Sequence, residues 1–104
     1  LVSELFCAPG NAGIARIAVC HSGDAVEVAR QVGADFVVVG PDALLAEGVV
    51  DRLNAAGILA FGPTKQGAQL EASKIFCKEL LKKYGVPTAD FEQFNSPEEA
   101  KAYL

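Results

Sequence analysis

Short apolar runs that end at glycine and proline alternate along the chain with segments whose apolar residues recur at helical spacing. Three such runs, 5–8, 35–39 and 58–61, predict strands, because each stops at a Pro-Gly or Gly-Pro pair. The middle run is apolar on both faces, as a central strand of a parallel sheet requires. Each predicted strand is therefore followed directly by a loop.

The segments between these runs predict helices. Asp24 and Glu27 have the spacing of a capping box, and Gly33 is a natural C-terminal stop for the helix they begin. A second helix follows the middle strand and ends at Gly57; its inner residues are Leu44, Leu45, Val49, Val50 and Leu53. Alternating strands and helices with right-handed crossovers predict a parallel, doubly wound α/β sheet.

The last third of the chain predicts two further helices and a strand. Apolar spacing predicts a helix from about Ala72 to Tyr84, and weak alternation over 89–94 predicts a strand. Ser96 then supplies a cap, with proline at the first helical position and a glutamate at the third, for a final helix.

Composition narrows the class of protein. The chain has 104 residues, enough for one domain or for one domain and the start of another, and 51% of them are hydrophobic, so it can bury a core. Its net charge of −4 argues against nucleic acid as a partner. No apolar run approaches the roughly 20 residues of a membrane span, and no signal peptide is evident.

The chain has three cysteines, at positions 7, 20 and 77. Their number is odd and their spacing fits no zinc motif. We therefore expect buried, reduced thiols, and with them a cytoplasmic location.

Three loops share one position in the predicted fold. Segments 9–13, 40–42 and 62–64 each follow a strand, and open α/β sheets bind ligands outside the carboxyl ends of their strands. Glycines there let backbone N–H groups approach an anion. The same loops are equally consistent with ordinary turns between a strand and a helix. Gly62 and Gly67 have P-loop spacing, but the lysine that a P-loop needs is absent, so we reject that motif.

Two kinds of side chain remain as candidates outside these loops. His21 is the single histidine, and we expect a structural or surface role for it. Lys74, Lys78 and Lys82 lie on one face of the predicted helix and are consistent with a solvated surface. Among them Lys74, nearest the N-terminal end, is the best candidate for contact with a phosphate.

Read in order, the motifs resemble those of the glycinamide ribonucleotide synthetase family. The matching segments are 8–13 (APGNAG), 39–42 (VGPD), 48–51 (GVVD), 61–63 (FGP), 68–74 (AQLEASK) and 86–89 (VPTA). The FGP, SK and GVP elements are shared with other ATP-grasp enzymes, including biotin carboxylases. The first two segments are more specific to the family.

The resemblance implies both fold and reaction. It implies a Rossmann-like pre-ATP-grasp domain over 1–71, and a linker helix with the beginning of an ATP-grasp domain over 72–104. The implied enzyme is an ATP-dependent ligase that joins glycine to 5-phospho-β-D-ribosylamine and releases ADP and phosphate. Its implied partners are these substrates and the rest of the ATP-grasp domain. ATP and Mg²⁺, or Mn²⁺ in its place, would be bound mainly by residues outside this chain.

The resemblance also assigns residues, position by position. Gly10, Asn11 and Gly13 would contact the phosphoribosylamine from one loop, Pro41 and Asp42 would contact it from another, and Lys74 would bind ATP. No catalytic residue and no metal ligand falls within the chain.

This sequence departs from the family in three places. Asp42 stands where the family usually has glutamate, and the stretch 14–32 is shorter than usual. The family's first strand and its glycine-rich, phosphate-binding loop have no match, so we expect them upstream of Leu1. Two alternatives stay open: the N-terminal domain of another ATP-grasp enzyme such as a biotin carboxylase, and a truncated, non-catalytic domain.

Overall fold

A computed structural model describes residues 2–104 of the chain. It divides into two compact units, the first ending at Ala68 and the second spanning Gln69–Leu104. The elements in order are β1 (Phe6–Cys7), a 3-10 turn (Ile14–Arg16), β2 (Val19–Cys20), α1 (Ala25–Val32), β3 (Phe36–Val38), α2 (Asp42–Glu47), α3 (Val49–Ala55), β4 (Leu59–Phe61), α4 (Lys65–Ala72), α5 (Lys74–Lys83) and α6 (Pro97–Tyr103). No helix among residues 2–104 is long and apolar enough to cross a membrane.

The strands form two parallel pairs. β1 pairs with β2, and β3 pairs with β4, with Phe36 opposite Leu59 and Val38 opposite Phe61. The mixed α/β class and the parallel pairing are confirmed. The pattern also predicted a single continuous sheet. That prediction is wrong for the described residues, whose strands form two separate ladders. The pattern also missed β2: residues 17–20 are apolar, but no Pro-Gly or Gly-Pro pair follows them to mark a strand end.

The core of the first unit lies on one face of the β3–β4 pair. Leu53 of α3 is fully buried. The buried cluster around it comprises Val26, Ala29, Leu45, Val49, Val50 and Ala68, and partly buried residues of the strands, Val37, Val39, Ile58 and Ala60, pack against it. The predicted inner residues of the second helix are therefore confirmed, with Leu44 at the edge of the cluster.

The opposite face of the same strands is open. Phe36, Val38, Leu59 and Phe61 expose 57%, 67%, 70% and 66% of their surface. The expectation that the middle strand is buried on both faces is therefore wrong for this chain, because α1, α2 and α3 supply the cover on one face only.

The start of α1 follows the capping prediction. Asp24 Oδ1 accepts hydrogen bonds from the N–H groups of Val26 and Glu27, and Gly33 ends the helix with a φ of 63°. The same carboxylate accepts two hydrogen bonds from the Arg52 guanidinium, at 2.9 and 2.8 Å. Asp24 therefore caps α1 and ties it to α3.

The predicted second helix is in fact two helices. Gly48 breaks it with a φ of 90°, a conformation that other residues rarely adopt. Just after the break, Asp51 Oδ2 accepts a 2.7 Å hydrogen bond from the N–H of Lys65, the first residue of α4. The pattern did not predict α4, and it placed the start of the next helix at Ala72. That helix, α5, begins after Ser73, whose hydroxyl accepts from the Phe76 N–H.

In the second unit, no strand forms over 89–94, contrary to prediction. Lys78 Nζ instead donates to Thr88 Oγ1 at 2.6 Å and to the Ala89 carbonyl at 3.0 Å, which uses that backbone in a side-chain contact. The final helix, α6, begins as predicted: the Ser96 hydroxyl accepts from the Glu99 N–H. The Glu99 carboxylate accepts in turn from the Asn95 N–H.

We predict that Leu53→Ala lowers the free energy of unfolding by about 2–5 kcal/mol, because it leaves a cavity in the only fully buried position of the described core. Leu59→Ala removes the same atoms from a side chain that is 70% exposed and serves as the matched control. Urea unfolding of both variants measures the difference. Equal losses would show that the buried cluster is not the core.

We predict that the Asp24–Arg52 pair makes stability depend on pH. The hydrogen bond from Arg52 is the largest cause that holds the pKa of Asp24 below its ordinary value of 3.8. The stabilisation is therefore present above that value and lost as pH falls through the lowered pKa. Asp24→Asn keeps the cap acceptor but loses the charge, so its melting temperature should lie below the parent's at pH 7 and converge with it in acid.

Asp35→Asn is the control for this titration, since Asp35 is exposed and makes no ion pair among residues 2–104. Melting temperatures measured from pH 7 down to about pH 2 compare the three proteins. A gap between parent and Asp24→Asn that stays constant across that range would contradict the prediction.

Candidate functional site

The loop after β1 is shaped by Asn11. Its Oδ1 accepts hydrogen bonds from the N–H groups of Gly13 and Ile14, both at 3.0 Å, and so begins the 3-10 turn. Gly13 is one of the ligand contacts that the resemblance implied, but its N–H group is already bonded to Asn11. The N–H groups of Gly10, Asn11 and Ala12 and the Asn11 Nδ2 group make no hydrogen bond among residues 2–104. These four donor groups are the ones available to a ligand.

Gly10 sits against the ends of β1 and β2. Its φ is 78°, and a Cβ built on it would overlap Cys20 Sγ and lie 3.1 Å from Cys20 Cβ and 3.6 Å from Cys7 Cβ. Glycine is required here both by the backbone conformation and by the close approach of the two cysteines. This packing reason was not visible in the sequence, since the pairing of β1 with β2 was not predicted.

Pro41 and Asp42 follow β3 at the start of α2. Pro41 is the N-cap residue and Asp42 the first helical residue, and both are exposed. A carboxylate in the first turn is favoured by the partial positive charge of a helix N-terminus. The Asp42 carboxylate makes no hydrogen bond among the described residues, so it is open to solvent and to a ligand.

The loop after β4 starts at Gly62. A Cβ there would meet Leu45 Cδ2 at 2.8 Å and Val50 Cγ2 at 3.1 Å. The glycine is explained by its close packing against α2 and α3. For this loop, therefore, the structure favours an ordinary turn, the alternative that the sequence left open.

The structure brings the predicted loops together in two groups. Because β3 and β4 are parallel, segments 40–42 and 62–64 emerge at the same end of that pair. Segment 9–13 emerges at the end of β1, beside the segment that follows β2. Two cavities, of about 320 and 690 Å³, lie elsewhere and include none of the five predicted substrate residues. Because Asn11, Gly13, Pro41 and Asp42 are exposed, the candidate site is an open rim formed by the loops that follow β1 and β3.

Lys74 belongs to the second unit. It is the first residue of α5, exposed, and its ammonium group makes no hydrogen bond or ion pair among residues 2–104. Lys78, by contrast, is occupied by Thr88 and Ala89, and both Lys78 and Lys82 lie over the Phe91 ring, at 5.6 and 5.7 Å from its centroid. Of the three lysines, Lys74 is the one that stays free for a ligand.

The remaining polar groups add little to the rim. Within residues 2–104 no three His, Cys, Asp or Glu side chains cluster closely enough to hold a metal ion. His21 packs its ring 5.8 Å from that of Phe6, and its buried Nε2 has no partner among these residues. All three cysteines are free thiols, but they are half-buried and not buried as expected.

Parallel strand pairs with helices packed between and against them define an α/β domain. Over residues 1–71 the chain matches the family described as "Phosphoribosylglycinamide synthetase, N domain". The chain belongs to this family.

Relatives match nearly the whole chain. It is 46% identical to the phosphoribosylamine–glycine ligase of Agrobacterium fabrum, covering 100% of the chain and 26% of that protein. Identity to the enzyme of that name from Mycobacterium tuberculosis is 49%, over 99% of the chain and 26% of the relative. The human trifunctional purine biosynthetic protein adenosine-3 is 40% identical over 99% of the chain and 11% of its own length. The chain therefore spans about a quarter of the ligases it matches.

We predict that Gly10→Ala destabilises the first unit more than a positive φ alone explains. Gly33→Ala imposes a similar φ of 63° with nothing within 4 Å, and should cost about 1–2 kcal/mol. Gly10→Ala adds the overlap with Cys20 Sγ, so its loss in urea unfolding should be larger. Combining it with Cys20→Ala should recover part of that loss.

Gly40→Ala is the second control, since it has neither a positive φ nor a neighbour within 4 Å. Its stability should stay within about 0.5 kcal/mol of the parent. A Gly10→Ala loss equal to that of Gly33→Ala, without recovery by Cys20→Ala, would mean that the close contact is not present.

Proposed function

We propose that this chain is the N-terminal part of a phosphoribosylamine–glycine ligase of purine biosynthesis. The enzyme would join glycine to 5-phospho-β-D-ribosylamine while ATP is split to ADP and phosphate. The single observation that carries the proposal is the similarity of the whole chain to ligases of that name, at 46–49% identity. The unbonded N–H donors of the loop after β1 also support it, because they suit the oxygen atoms of a phosphoribosyl group.

Residues 1–71 would form a Rossmann-like pre-ATP-grasp domain. Residues 72–104 would supply the linker helix and the beginning of the ATP-grasp domain. The family match over 1–71 supports this boundary. Location in the cytoplasm and the rest of the ATP-grasp domain as an intramolecular partner belong to the same proposal.

The loop of Gly10, Asn11 and Gly13 would hold the oxygen-rich phosphoribosyl group. Three unbonded backbone N–H groups and the Asn11 amide suit phosphate or hydroxyl oxygens as acceptors. Gly13 would act indirectly, because its N–H is bonded to Asn11 and keeps the loop in shape. Asn11 would then serve both purposes, with its oxygen turned to the loop and its NH₂ group to the ligand.

Pro41 and Asp42 would meet a different part of the same substrate. An ionised carboxylate only accepts hydrogen bonds and repels a phosphate, so Asp42 suits the ribose hydroxyls or the amine. Pro41 has no N–H, and its fixed φ sets the position from which α2 and Asp42 begin. The first loop would thus supply hydrogen-bond donors to the substrate, and the second loop would supply an acceptor.

Lys74 would bind ATP through its free ammonium group. Mg²⁺, or Mn²⁺, would neutralise the phosphates of ATP when bound. The acidic residues among 2–104 form no cluster that fits such an ion, so its ligands would come from other parts of a longer protein. This chain would thus bind and orient the substrate, while glycine is activated as an acyl phosphate by residues elsewhere.

Steady-state assays of the natural full-length polypeptide test the proposal. ADP release should require both glycine and phosphoribosylamine. Release that instead requires bicarbonate would favour a carboxylase of the biotin carboxylase type. Absence of release with either set of substrates would favour a non-catalytic domain.

We predict that Asn11→Asp weakens binding of glycinamide ribonucleotide by about tenfold, equivalent to about 1.4 kcal/mol. The substitution keeps the acceptor for Gly13 and Ile14, so the loop keeps its shape. It replaces the free NH₂ donor by a negative charge that repels a phosphorylated ligand. Calorimetric titration of the full-length polypeptide measures the dissociation constant.

Asn54→Asp makes the same chemical change at an exposed position of α3 and should leave the dissociation constant unchanged. Equal affinities for Asn11→Asp and the parent would remove Asn11 from the site. Titration by NMR locates the site directly, since shifts should appear near Asn11 and Asp42.

A further inference from the structure

Cys7 and Cys20 stand side by side at the ends of their strands. They are register partners in the parallel pair of β1 and β2, so their side chains leave the same face of that pair. Neighbouring strands lie about 4.8 Å apart, and disulfides join Cα atoms separated by roughly 4.4–6.8 Å. The backbone therefore places these two residues within disulfide range.

Gly10 connects this pair to the candidate site. The position that a Cβ would take on Gly10 overlaps Cys20 Sγ and lies 3.6 Å from Cys7 Cβ, so both cysteine side chains pack near the same glycine. Each cysteine is half-buried, which leaves it within reach of a small reagent from solvent. Each is also the last residue of a two-residue strand, and the ladder between the strands ends one residue later, with a 2.8 Å hydrogen bond from the His21 N–H to the Cys7 carbonyl.

We propose that Cys7 and Cys20 form a modification site, a thiol pair that a hydroperoxide converts into an intramolecular disulfide beneath Gly10. One thiolate attacks the O–O bond of hydrogen peroxide, becomes a sulfenic acid and releases hydroxide, which takes up a proton. The second thiol then attacks the sulfenic sulfur; the S–S bond forms, and the S–O bond breaks with loss of water. Overall, two thiols and one hydrogen peroxide give one disulfide and two waters.

The modification changes the loop that carries the free donors. Cys20 Sγ packs directly on Gly10, and formation of a bond to the Cys7 sulfur changes that contact. Segment 9–13 then loses its support, and its N–H donors move. This consequence rests on the proposed function, whereas formation of the disulfide does not.

Peptide mapping of the peroxide-treated full-length polypeptide tests the site. Cleavage after Arg16, Arg30, Lys74 and Lys78 places the three cysteines on separate tryptic peptides. Without reductant, we expect the peptide that ends at Arg16 to be joined to peptide 17–30. Cys7→Ser and Cys20→Ser should each abolish the joined peptide, and Cys77→Ser should leave it intact.

Sulfinic or sulfonic acid on both residues without a joined peptide would overturn the proposal, and so would a disulfide that involves Cys77. Such adducts would show that the two thiols react singly and not as a pair. Cys77 thus serves as an internal measure of ordinary thiol reactivity in the same sample.

Affinity for glycinamide ribonucleotide tests the effect on the loop. Oxidation should weaken binding at least threefold, dithiothreitol should restore it, and Cys77→Ser should behave like the parent. A joined peptide with unchanged affinity would overturn the coupling to segment 9–13. Failure of the reduced protein to bind this ligand at all would instead count against the proposed function, with the peptide map unaffected.

Discussion

Burial of Leu53 against one side of the β3–β4 pair is the interaction on which the first unit depends. The cluster around it draws α1, α2 and α3 onto the same face, and the strands contribute Val37, Val39, Ile58 and Ala60 to it. β3 and β4 run parallel on this face, so the loops 40–42 and 62–64 emerge at the same end of the pair. The packing also requires glycine at position 62, where Leu45 and Val50 leave no room for a Cβ.

The same arrangement covers one face of the β3–β4 pair with helices and leaves the other face exposed. Parallel strands are normally covered on both faces and are apolar throughout for that reason. Here the outward residues, Phe36, Val38, Leu59 and Phe61, are as apolar as the inward ones but remain largely exposed. Their composition is that of a sheet with two covered faces, in a chain that spans about a quarter of the ligases it matches.

Features set by a side chain and its neighbouring backbone were predictable from the sequence. Asp24 and Ser96 cap their helices as their spacing indicates, and Gly33 ends α1 in the left-handed conformation. These signals act over three or four residues and need no tertiary contact. The second function of Asp24, its pair with Arg52, was not predictable, because it joins positions 28 residues apart.

Features set by tertiary contact were missed or misplaced. The apolar residues of 44–53 keep helical spacing across Gly48. That spacing therefore does not predict the helix break, which the glycine's φ of 90° creates. β2 exists through its pairing with β1 and has only two residues. The weakly alternating segment 89–94 forms no strand, and the Ala89 carbonyl accepts a hydrogen bond from the Lys78 side chain.

At the candidate site the sequence predicted which residues lie in the loops, but not which of them serve packing and which are free to bind a ligand. A glycine in a loop after a strand has two possible causes, close packing or close approach to a ligand, and sequence cannot separate them. At Gly62 and Gly10 the neighbouring side chains already require glycine, so these residues need no ligand to explain them. Asn11 is different, because shaping the loop uses only its oxygen. An amide that holds the chain with one end and leaves two N–H donors unbonded at the other is a stronger indication of binding than the glycines beside it.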